Sequence, residues 1–499
     1  MSAQRAATGV LAATCISTLV VNANTSAVAI LLPSISEDTG APVSTLQWAV
    51  TGYSLVGAAC IVTSGALGDV FGRRKIFLGG LFLFIGSCVL IALSTSGLGV
   101  VLGRCIQGAA GSTILACGLS LLTLATEGED RLRAVSLWGA ASAIGAAAGP
   151  LVGGLLVDST GWQGLFWIDA AIAAACIPLT LRTITESSDP NRSRSIDWLG
   201  TALVAMILAP LILGFSKGAD WGWGSPATLL CFIVSAASVF GFVKIESRSP
   251  TPLVDMALLR NRLLVGGTLG ILIGAGTING LMFIMSLFFQ DPAGLGMDAF
   301  EAGLATLPAT VGLVLATPFI PKLANRFGSR LVILGGFVAM TVGFALFLGI
   351  DSSWKYSAFV LPVVLVAVGM ALSNGPSSSI ATSSVPEDQV GSASGISNMA
   401  RYVGAAVMTA IVAAVYSDTT IDQTAAGASS SDALATAFAR ASLVLAIVSA
   451  LGIGLAVLAG RHRPPAPLGI DQAAAAASTS HTLPTPHPEA PERALVGEP

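Results

Sequence analysis

The feature that most constrains the fold of this chain is a series of fourteen apolar runs, separated by short segments that hold nearly all of its charges. A helix needs about 20 apolar residues to cross the hydrocarbon core of a bilayer, and each run has roughly that length. The 499 residues are only 10% charged, and the mean hydropathy is +0.81. A soluble protein could not bury so much apolar surface. The chain is therefore predicted to be an all-α polytopic protein with 14 transmembrane helices, embedded in a lipid bilayer.

The fourteen predicted spans follow one another with short connections. They lie near 10–33, 46–68, 76–95, 98–124, 134–157, 163–181, 198–216, 226–243, 263–289, 301–320, 331–349, 356–375, 392–415 and 441–459. The first run follows Arg5 and could also be read as a secretory signal. It is too long for the apolar region of a signal and stays apolar through Leu32, which favours a permanent span.

The positive charges predict the orientation of these spans. With an internal N-terminus, 19 of the 24 Lys and Arg residues fall on the inner side and only three, Lys217, Lys355 and Arg440, on the outer side. Cytoplasmic segments of membrane proteins carry such an excess of cations. We therefore expect a multi-pass protein of the cell membrane with both termini in the cytoplasm.

An internal repeat divides the chain. Leu67, Asp69, Phe71, Gly72 and Arg74 recur 256 residues later as Leu323, Asn325, Phe327, Gly328 and Arg330. The predicted organisation is an N-terminal six-helix half (1–185), a linker with two inserted helices (186–262), a C-terminal six-helix half (263–460) and a disordered cytoplasmic tail rich in Pro, Ala, Ser and Thr (461–499). Parallel halves of this kind place a substrate site near the membrane midplane, at their interface.

One charged turn interrupts the apolar pattern between spans two and three. It reads GALGDVFGRRK from Gly65 to Lys75, and its glycines allow a tight turn while its cations favour the cytoplasmic side. This stretch resembles the loop between the second and third spans of the major facilitator superfamily, although Val70 replaces the cation usual there. The resemblance implies a conformational latch, formed by Gly65, Asp69, Gly72, Arg73 and Arg74.

A second motif is typical of exporters in the same superfamily. Span five carries glycines four apart and a proline, which permit close helix packing and a bend. The residues that match the superfamily's antiporter motif are Gly145, Gly149, Pro150, Gly153 and Gly154. Trp48 and Tyr53 in span two, with Arg401 and Tyr402 in span thirteen, resemble the 14-span drug:proton antiporter branch.

The resemblance implies secondary active export of hydrophobic or amphipathic compounds in exchange for protons, by alternating access. It also implies a role for Arg104 and Gln107, which match the fourth-span motif. One departure affects proton coupling: Asn24 stands where the branch usually has an aspartate, and an amide cannot exchange a proton. Asp169 is the one acidic residue inside an apolar run. Asp169 and Arg104 are therefore the expected proton-coupling pair, unless Asp169 faces water at the outer end of span six.

The substrate cavity is predicted from sparse polar, aromatic and Met side chains on the spans. They suit a hydrophobic or cationic small molecule, although each of them is also an ordinary packing residue. The candidates are Asn24, Trp48, Tyr53, Gln107, Asn279, Met282, Asn374, Asn398 and Arg401.

Other function classes are disfavoured. There is no phosphate-binding G-x-x-x-x-G-K-[ST] loop, all three histidines lie in the tail, and the seven cysteines lie in apolar runs without metal-ligand spacing. We expect no enzyme activity, no metal or other cofactor, no nucleic-acid partner and a monomer. Two alternatives remain open: a facilitator or uptake carrier of the same fold without proton coupling, and a membrane sensor or scaffold, for which the short tail from Pro464 offers no soluble domain.

Overall fold

A computed structural model gives the fold and describes residues 3–126, 128–188, 197–249, 252–254, 256–385 and 390–458. These residues form helices and connecting turns, without strands. The predicted tail, 461–499, and part of the predicted linker lie outside the described residues.

The described residues form sixteen α-helices, numbered in chain order. They are α1 (Ala3–Thr39), α2 (Val43–Phe71), α3 (Arg73–Ala92), α4 (Gly97–Leu124), α5 (Gly128–Thr160), α6 (Gln163–Thr183), α7 (Trp198–Trp221), α8 (Pro226–Glu246), α9 (Arg262–Gln290), α10 (Ala299–Ala305), α11 (Leu307–Ala316), α12 (Ile320–Phe327), α13 (Ser329–Leu346), α14 (Tyr356–Ser383), α15 (Val390–Ala425) and α16 (Ser430–Leu458).

The predicted fourteen-span, all-α fold is confirmed. Within the described ranges, 13 helical segments are long and apolar enough to cross a membrane, and α5 supplies a fourteenth with a bend of 40° between 137–146 and 148–157. The bend lies just before Pro150, whose ring removes one helical hydrogen bond.

Two predicted boundaries were wrong. The last span was expected to begin near residue 441, but α16 begins at Ser430, where the Ser429 hydroxyl accepts a hydrogen bond from the Asp432 N–H at 3.2 Å and caps the helix. Arg440, predicted to lie in an outer loop, is therefore part of a helix. The tenth span extends from 299 to 327 in three pieces, α10 to α12. Prolines at the first turn of α11 and of α12 account for the breaks.

The two turns of the internal repeat have the same geometry. Gly72 joins α2 to α3 with φ +109°, and Gly328 joins α12 to α13 with φ +84°, a region that favours glycine. In the first turn Arg74 Nη2 donates to the carbonyl of Leu181 near the end of α6, at 2.8 Å. In the second, Arg330 Nε donates to the carbonyl of Ala456 near the end of α16, at 3.0 Å. The domain boundaries predicted from this repeat remain our proposal.

Small residues let the helices around the functional site approach closely. A Cβ added at Gly108 of α4 would lie 2.2 Å from the carbonyl oxygen of Tyr53 on α2. At Gly145 of α5 the same atom would lie 2.2 Å from the carbonyl oxygen of Leu19 on α1. Glycine at these positions therefore fixes how α1, α2, α4 and α5 cross.

The orientation of the chain can be tested directly, since we propose that both termini are cytoplasmic. Single cysteines at Thr39 and Ala428, placed in a cysteine-free variant, should react with an impermeant reagent applied to intact cells, because Thr39 ends α1 and Ala428 follows α15 at the proposed outer side. A cysteine at Lys75, which is exposed at the start of α3, should react only after the membrane is opened. Labelling of Lys75→Cys in intact cells would show that the chain has the opposite orientation to the one proposed.

Candidate functional site

A cluster of buried polar side chains lies between α1, α2, α4 and α6. Its members are Asn24, Tyr53, Arg104, Gln107 and Asp169, and we call it the buried polar cluster. Asn24, Arg104 and Gln107 are fully buried, and Asp169 is only 4% exposed. The interpretation that Asp169 faces outer water is therefore wrong.

Asn24 joins the two charged groups of this cluster. Its Nδ2 donates to Asp169 Oδ2 at 2.7 Å, and its Oδ1 accepts from Arg104 Nη1 at 2.5 Å. The amide can do this because it has a donor and an acceptor on one group. The sequence-predicted pair, Asp169 and Arg104, is thus brought together through Asn24 and not by direct contact.

Arg104 is held by three further groups. Its Nε donates to the carbonyl of Ala49 at 2.9 Å, its Nη1 also donates to Gln107 Oε1 at 2.5 Å, and its guanidinium lies 4.2 Å from the centre of the Tyr53 ring. These contacts compensate for burial of a cation that is costly inside a membrane. Nη2 has no hydrogen-bond partner among the described atoms, so the site retains one free donor.

Sequence reasoning missed two participants in the cluster. Gln107 Nε2 donates to Cys88 Sγ on α3 at 3.1 Å, and the backbone carbonyl of Ala49 binds Arg104. An isolated cysteine in an apolar run and a backbone carbonyl give no signal in the sequence.

The remaining cavity candidates are distributed around the central interface. Asn279, Met282, Asn398 and Arg401 are at least partly accessible, whereas Asn374 is 8% exposed. Two of the amides are bonded within their own helices, Asn279 to the Ala275 carbonyl at 2.8 Å and Asn398 to the Ser394 carbonyl at 3.1 Å. Trp48 packs against a separate apolar cluster, in which Leu55 of α2 and Ala406 of α15 join Leu208 of α7. The structure therefore does not bring Trp48 to the buried polar cluster.

The predicted latch residues lie in the turn between α2 and α3. Asp69 Oδ1 pairs with Arg73 Nη2 at 2.7 Å.

The backbone of the turn also binds the segment after α6: Arg73 N–H donates to the Ser187 carbonyl at 2.9 Å, and Arg74 N–H donates to Glu186 Oε1 at 3.1 Å. Gly72 allows this approach, because a Cβ there would lie 2.6 Å from the Glu186 carboxyl. Sequence reasoning did not find Glu186. Gly65 lies in the last part of α2, where a Cβ would meet no atom within 4 Å.

The glycine-proline motif of α5 faces two partners. Cβ atoms at Gly149 and Gly153 would contact Ala23 and Ala27 of α1. One at Gly154 would lie 2.3 Å from the carbonyl oxygen of Ala299 on α10, and one at Gly303 would lie 2.6 Å from the Pro150 carbonyl oxygen. The motif therefore lies where α5 meets both α1 and α10.

Side-chain hydrogen bonds join α1 and α9 at this same end. Ser286 Oγ of α9 donates to the Ala29 carbonyl at 2.5 Å, and Gln290 Nε2 donates to the Ile30 carbonyl at 3.0 Å. The end of α1 that lies beyond Asn24 is thus closed against α9.

Apolar spans packed around a buried arginine–amide–carboxylate cluster make this a polytopic membrane protein with a polar interior. The profile of the Major Facilitator Superfamily matches residues 14–409, and the chain belongs to this family.

Curated relatives of the chain are efflux proteins. It is 30% identical over 388 residues to the multidrug resistance protein Stp of Mycobacterium tuberculosis (strain CDC 1551 / Oshkosh), covering 77% of this chain and 71% of the relative. It is 30% identical over 407 residues to the multidrug efflux pump LfrA of Mycolicibacterium smegmatis, covering 81% and 80%. The tetracenomycin C resistance and export protein of Streptomyces glaucescens is 28% identical over 402 residues, covering 81% of this chain and 74% of that protein.

Solved structures share the fold at low identity. An auto-inhibited peptide transporter of the POT family is 17% identical and aligns with a TM-score of 0.67, covering 93% of this chain and 99% of its own. The nucleoside transporter NupG aligns with a TM-score of 0.61 at 16% identity, covering 91% and 100%.

Proposed function

We propose that this protein exports hydrophobic or amphipathic small molecules in exchange for protons. The relatives described above, which are drug and antibiotic efflux proteins, support export of small molecules by a secondary transporter. The observation that carries proton exchange is the buried carboxyl of Asp169, hydrogen-bonded through Asn24 to Arg104.

Protonation of Asp169 would alter this hydrogen-bond chain. An ionised carboxylate only accepts hydrogen bonds, and it therefore matches the Nδ2 donor of Asn24. A proton on Oδ2 would add a donor there and remove the negative charge that strengthens this hydrogen bond, so Asn24 would be held less tightly. Arg104 would then lose the partner that Asn24 Oδ1 provides, so the contacts between α1, α4 and α6 would change together.

The same change can reach the closed end of the bundle through α1. Asn24 lies on the helix whose Ala29 and Ile30 carbonyls accept the hydrogen bonds from α9. Release of Asn24 would let α1 shift. A shift of α1 would move the Ala29 and Ile30 carbonyls relative to α9 and so weaken the hydrogen bonds between the two helices. We therefore infer that proton binding at Asp169 opens the end sealed by Ser286 and Gln290.

The membrane potential is sufficient to drive such export. One elementary charge crossing 100 mV supplies about 2.3 kcal/mol, and about 1.4 kcal/mol corresponds to a tenfold concentration ratio. Each inward proton can therefore sustain a gradient of roughly fortyfold.

A transport assay in liposomes tests the proposal. The purified protein should move a fluorescent amphipathic compound against its gradient only while a proton gradient is imposed, and an ionophore that collapses the gradient should stop it. Equilibration of the compound without any response to the proton gradient would instead identify a facilitator, and counterflow would then give its direction.

The latch at Asp69 should act on the rate of transport and not on substrate binding. Loss of the Asp69–Arg73 pair by Asp69→Asn removes a contact at a turn that is bonded to the end of α6, and such a contact can bias two conformations by about 1–3 kcal/mol. We expect turnover to fall about 5- to 150-fold. The substrate dissociation constant should stay within about a factor of two of the wild-type value. Asp351→Asn, in an exposed loop, is the control. Normal turnover combined with lost binding would refute the latch.

A further inference from the structure

The side of α15 that carries Arg401 is defined by its neighbours. Successive residues of an α-helix are about 100° apart. Tyr402 faces α2, where a Cβ at Gly57 would lie 2.7 Å from its ring, and Gly404 faces α9, where a Cβ would lie 2.2 Å from the Leu272 carbonyl oxygen. Val403 packs against the apolar cluster formed with α7.

Arg401 points away from the α7 side of the helix. It lies about 160° around the helix from Val403, in the sector between α2 and α9. Since α2 belongs to the first six spans and α9 to the last six, this sector faces the interface between these two sets of spans and not the surrounding lipid.

Arg401 also differs from Arg104, the buried cation of span four. Arg401 is exposed to solvent, whereas Arg104 is fully buried. In the described part of the chain, no hydrogen bond or ion pair to the Arg401 side chain is found. An arginine in a membrane span needs a partner or an aqueous cavity. The Arg401 side chain is accessible and, among the residues that the structure describes, has no acidic partner.

An amide and an aromatic residue lie near Arg401 on its own helix. Asn398 lies one turn earlier on the same side of α15 and is partly exposed. Tyr402 and Tyr53 have ring centres 6.3 Å apart. Asp169, the acidic group of the buried polar cluster, is only 4% exposed and is bonded to Asn24. Arg401 therefore contributes an accessible positive charge to this region.

We propose that Arg401 binds an acidic group of the substrate, so that the protein exports aromatic or amphipathic anions. A guanidinium matches a carboxylate or sulfonate with two parallel hydrogen bonds, and the neighbouring Tyr402, which is partly exposed, provides a face for an aromatic ring. This inference rests on the proposed function and narrows its substrate class from hydrophobic or amphipathic compounds in general to those that carry an acidic group. The membrane potential, negative inside, also favours outward movement of an anion.

Three versions of one fluorescent compound test the inference: an aromatic carboxylate, its neutral methyl ester and a cationic amine analogue. Wild-type protein in liposomes should transport the carboxylate best. Arg401→Gln should raise the KM for the carboxylate about ten- to hundredfold, because a charge-assisted hydrogen bond to a charged group is lost, and should leave the KM for the ester unchanged. Arg401→Lys should restore part of the affinity.

Two further variants make the test specific. Arg440→Gln removes an exposed arginine of α16 and should behave as wild type. Arg401→Glu should reverse the preference, favouring the amine over the carboxylate. If Arg401→Gln transported the carboxylate with unchanged KM, or lost the carboxylate and the ester equally, the inference would be overturned while export itself stood. If wild type transported none of the three compounds, the proposed function would fail, and with it this inference.

Discussion

Replacing Asp169 with asparagine is expected to abolish uphill efflux while leaving downhill exchange intact. The substitution keeps the size of the side chain and can still accept a hydrogen bond from Asn24, but it cannot bind or release a proton. Wild-type protein in weakly buffered liposomes should release protons when substrate binds. Asp169→Asn should show no proton release, and the steady-state accumulation ratio of a neutral compound should fall from roughly fortyfold at 100 mV to unity.

Glu37→Gln is the matched control for this experiment. Glu37 is an exposed carboxyl near the outer end of α1, and its loss should leave accumulation unchanged. Active pumping by Asp169→Asn would show that protons are coupled elsewhere, and Asp38, Asp291 and Glu301 at the helix ends are then the residues to test.

Exchanging the residues at positions 24 and 169 gives a sharper form of the test. In the double variant Asn24→Asp/Asp169→Asn, the carboxylate moves to α1, next to Arg104, and the amide moves to α6. The hydrogen-bond chain keeps one carboxylate, one amide and one guanidinium. We expect proton release and uphill efflux to return in part, with an altered pH dependence because the carboxylate then faces the guanidinium directly. Recovery would show that coupling belongs to the cluster and not to one position.

The spans and the repeat could be predicted because they depend on local pattern. Apolar runs long enough to cross a membrane have few alternative structures, since lipid cannot satisfy exposed backbone groups. The turn at Gly72 and its counterpart at Gly328 are recognisable from matching residue types at one spacing. Helix ends were less well predicted: α16 extends upstream because Ser429 caps it, and a cap is a weaker signal than a charge.

The contacts within the site could not be derived in the same way. Arg104 and Asp169 are the right chemical types, but the spacing between them along the chain does not show that Asn24 lies between them. That arrangement depends on how α1, α4 and α6 cross, and a shift of one residue turns a side chain by about 100°. Trp48 illustrates the same difficulty, since an aromatic residue on a predicted inward span packs against the inserted α7 instead. Arg401 could be named from the sequence as a candidate, but that its side chain is exposed could be learned only from the way α15 packs in the structure.

Gly149→Ala is the second substitution for which we expect a large effect, and two physical principles oppose each other at this position. Alanine is a better helix former than glycine by roughly 0.5–1 kcal/mol, so helix propensity alone predicts a stabilised α5. In the structure, however, a Cβ at Gly149 would lie 2.1 Å from Ser26 Oγ and 2.3 Å from the Ala23 carbonyl oxygen. The hydroxyl can rotate away, but the carbonyl belongs to the backbone of α1 and can move only with the helix.

The steric term should dominate, because overpacking of a close contact costs about 1–3 kcal/mol and exceeds the gain in propensity. Ala23 directly precedes Asn24, so a displacement of α1 also disturbs the hydrogen bonds to Arg104 and Asp169. We expect Gly149→Ala to lower uphill efflux at least about tenfold, with a reduced melting temperature of the purified protein. Gly139→Ala is the control on the same helix, since its Cβ would meet no atom within 4 Å. It should retain transport and melt at or above the wild-type temperature. Wild-type transport and stability in Gly149→Ala would mean that α1 and α5 are not in close contact during the transport cycle.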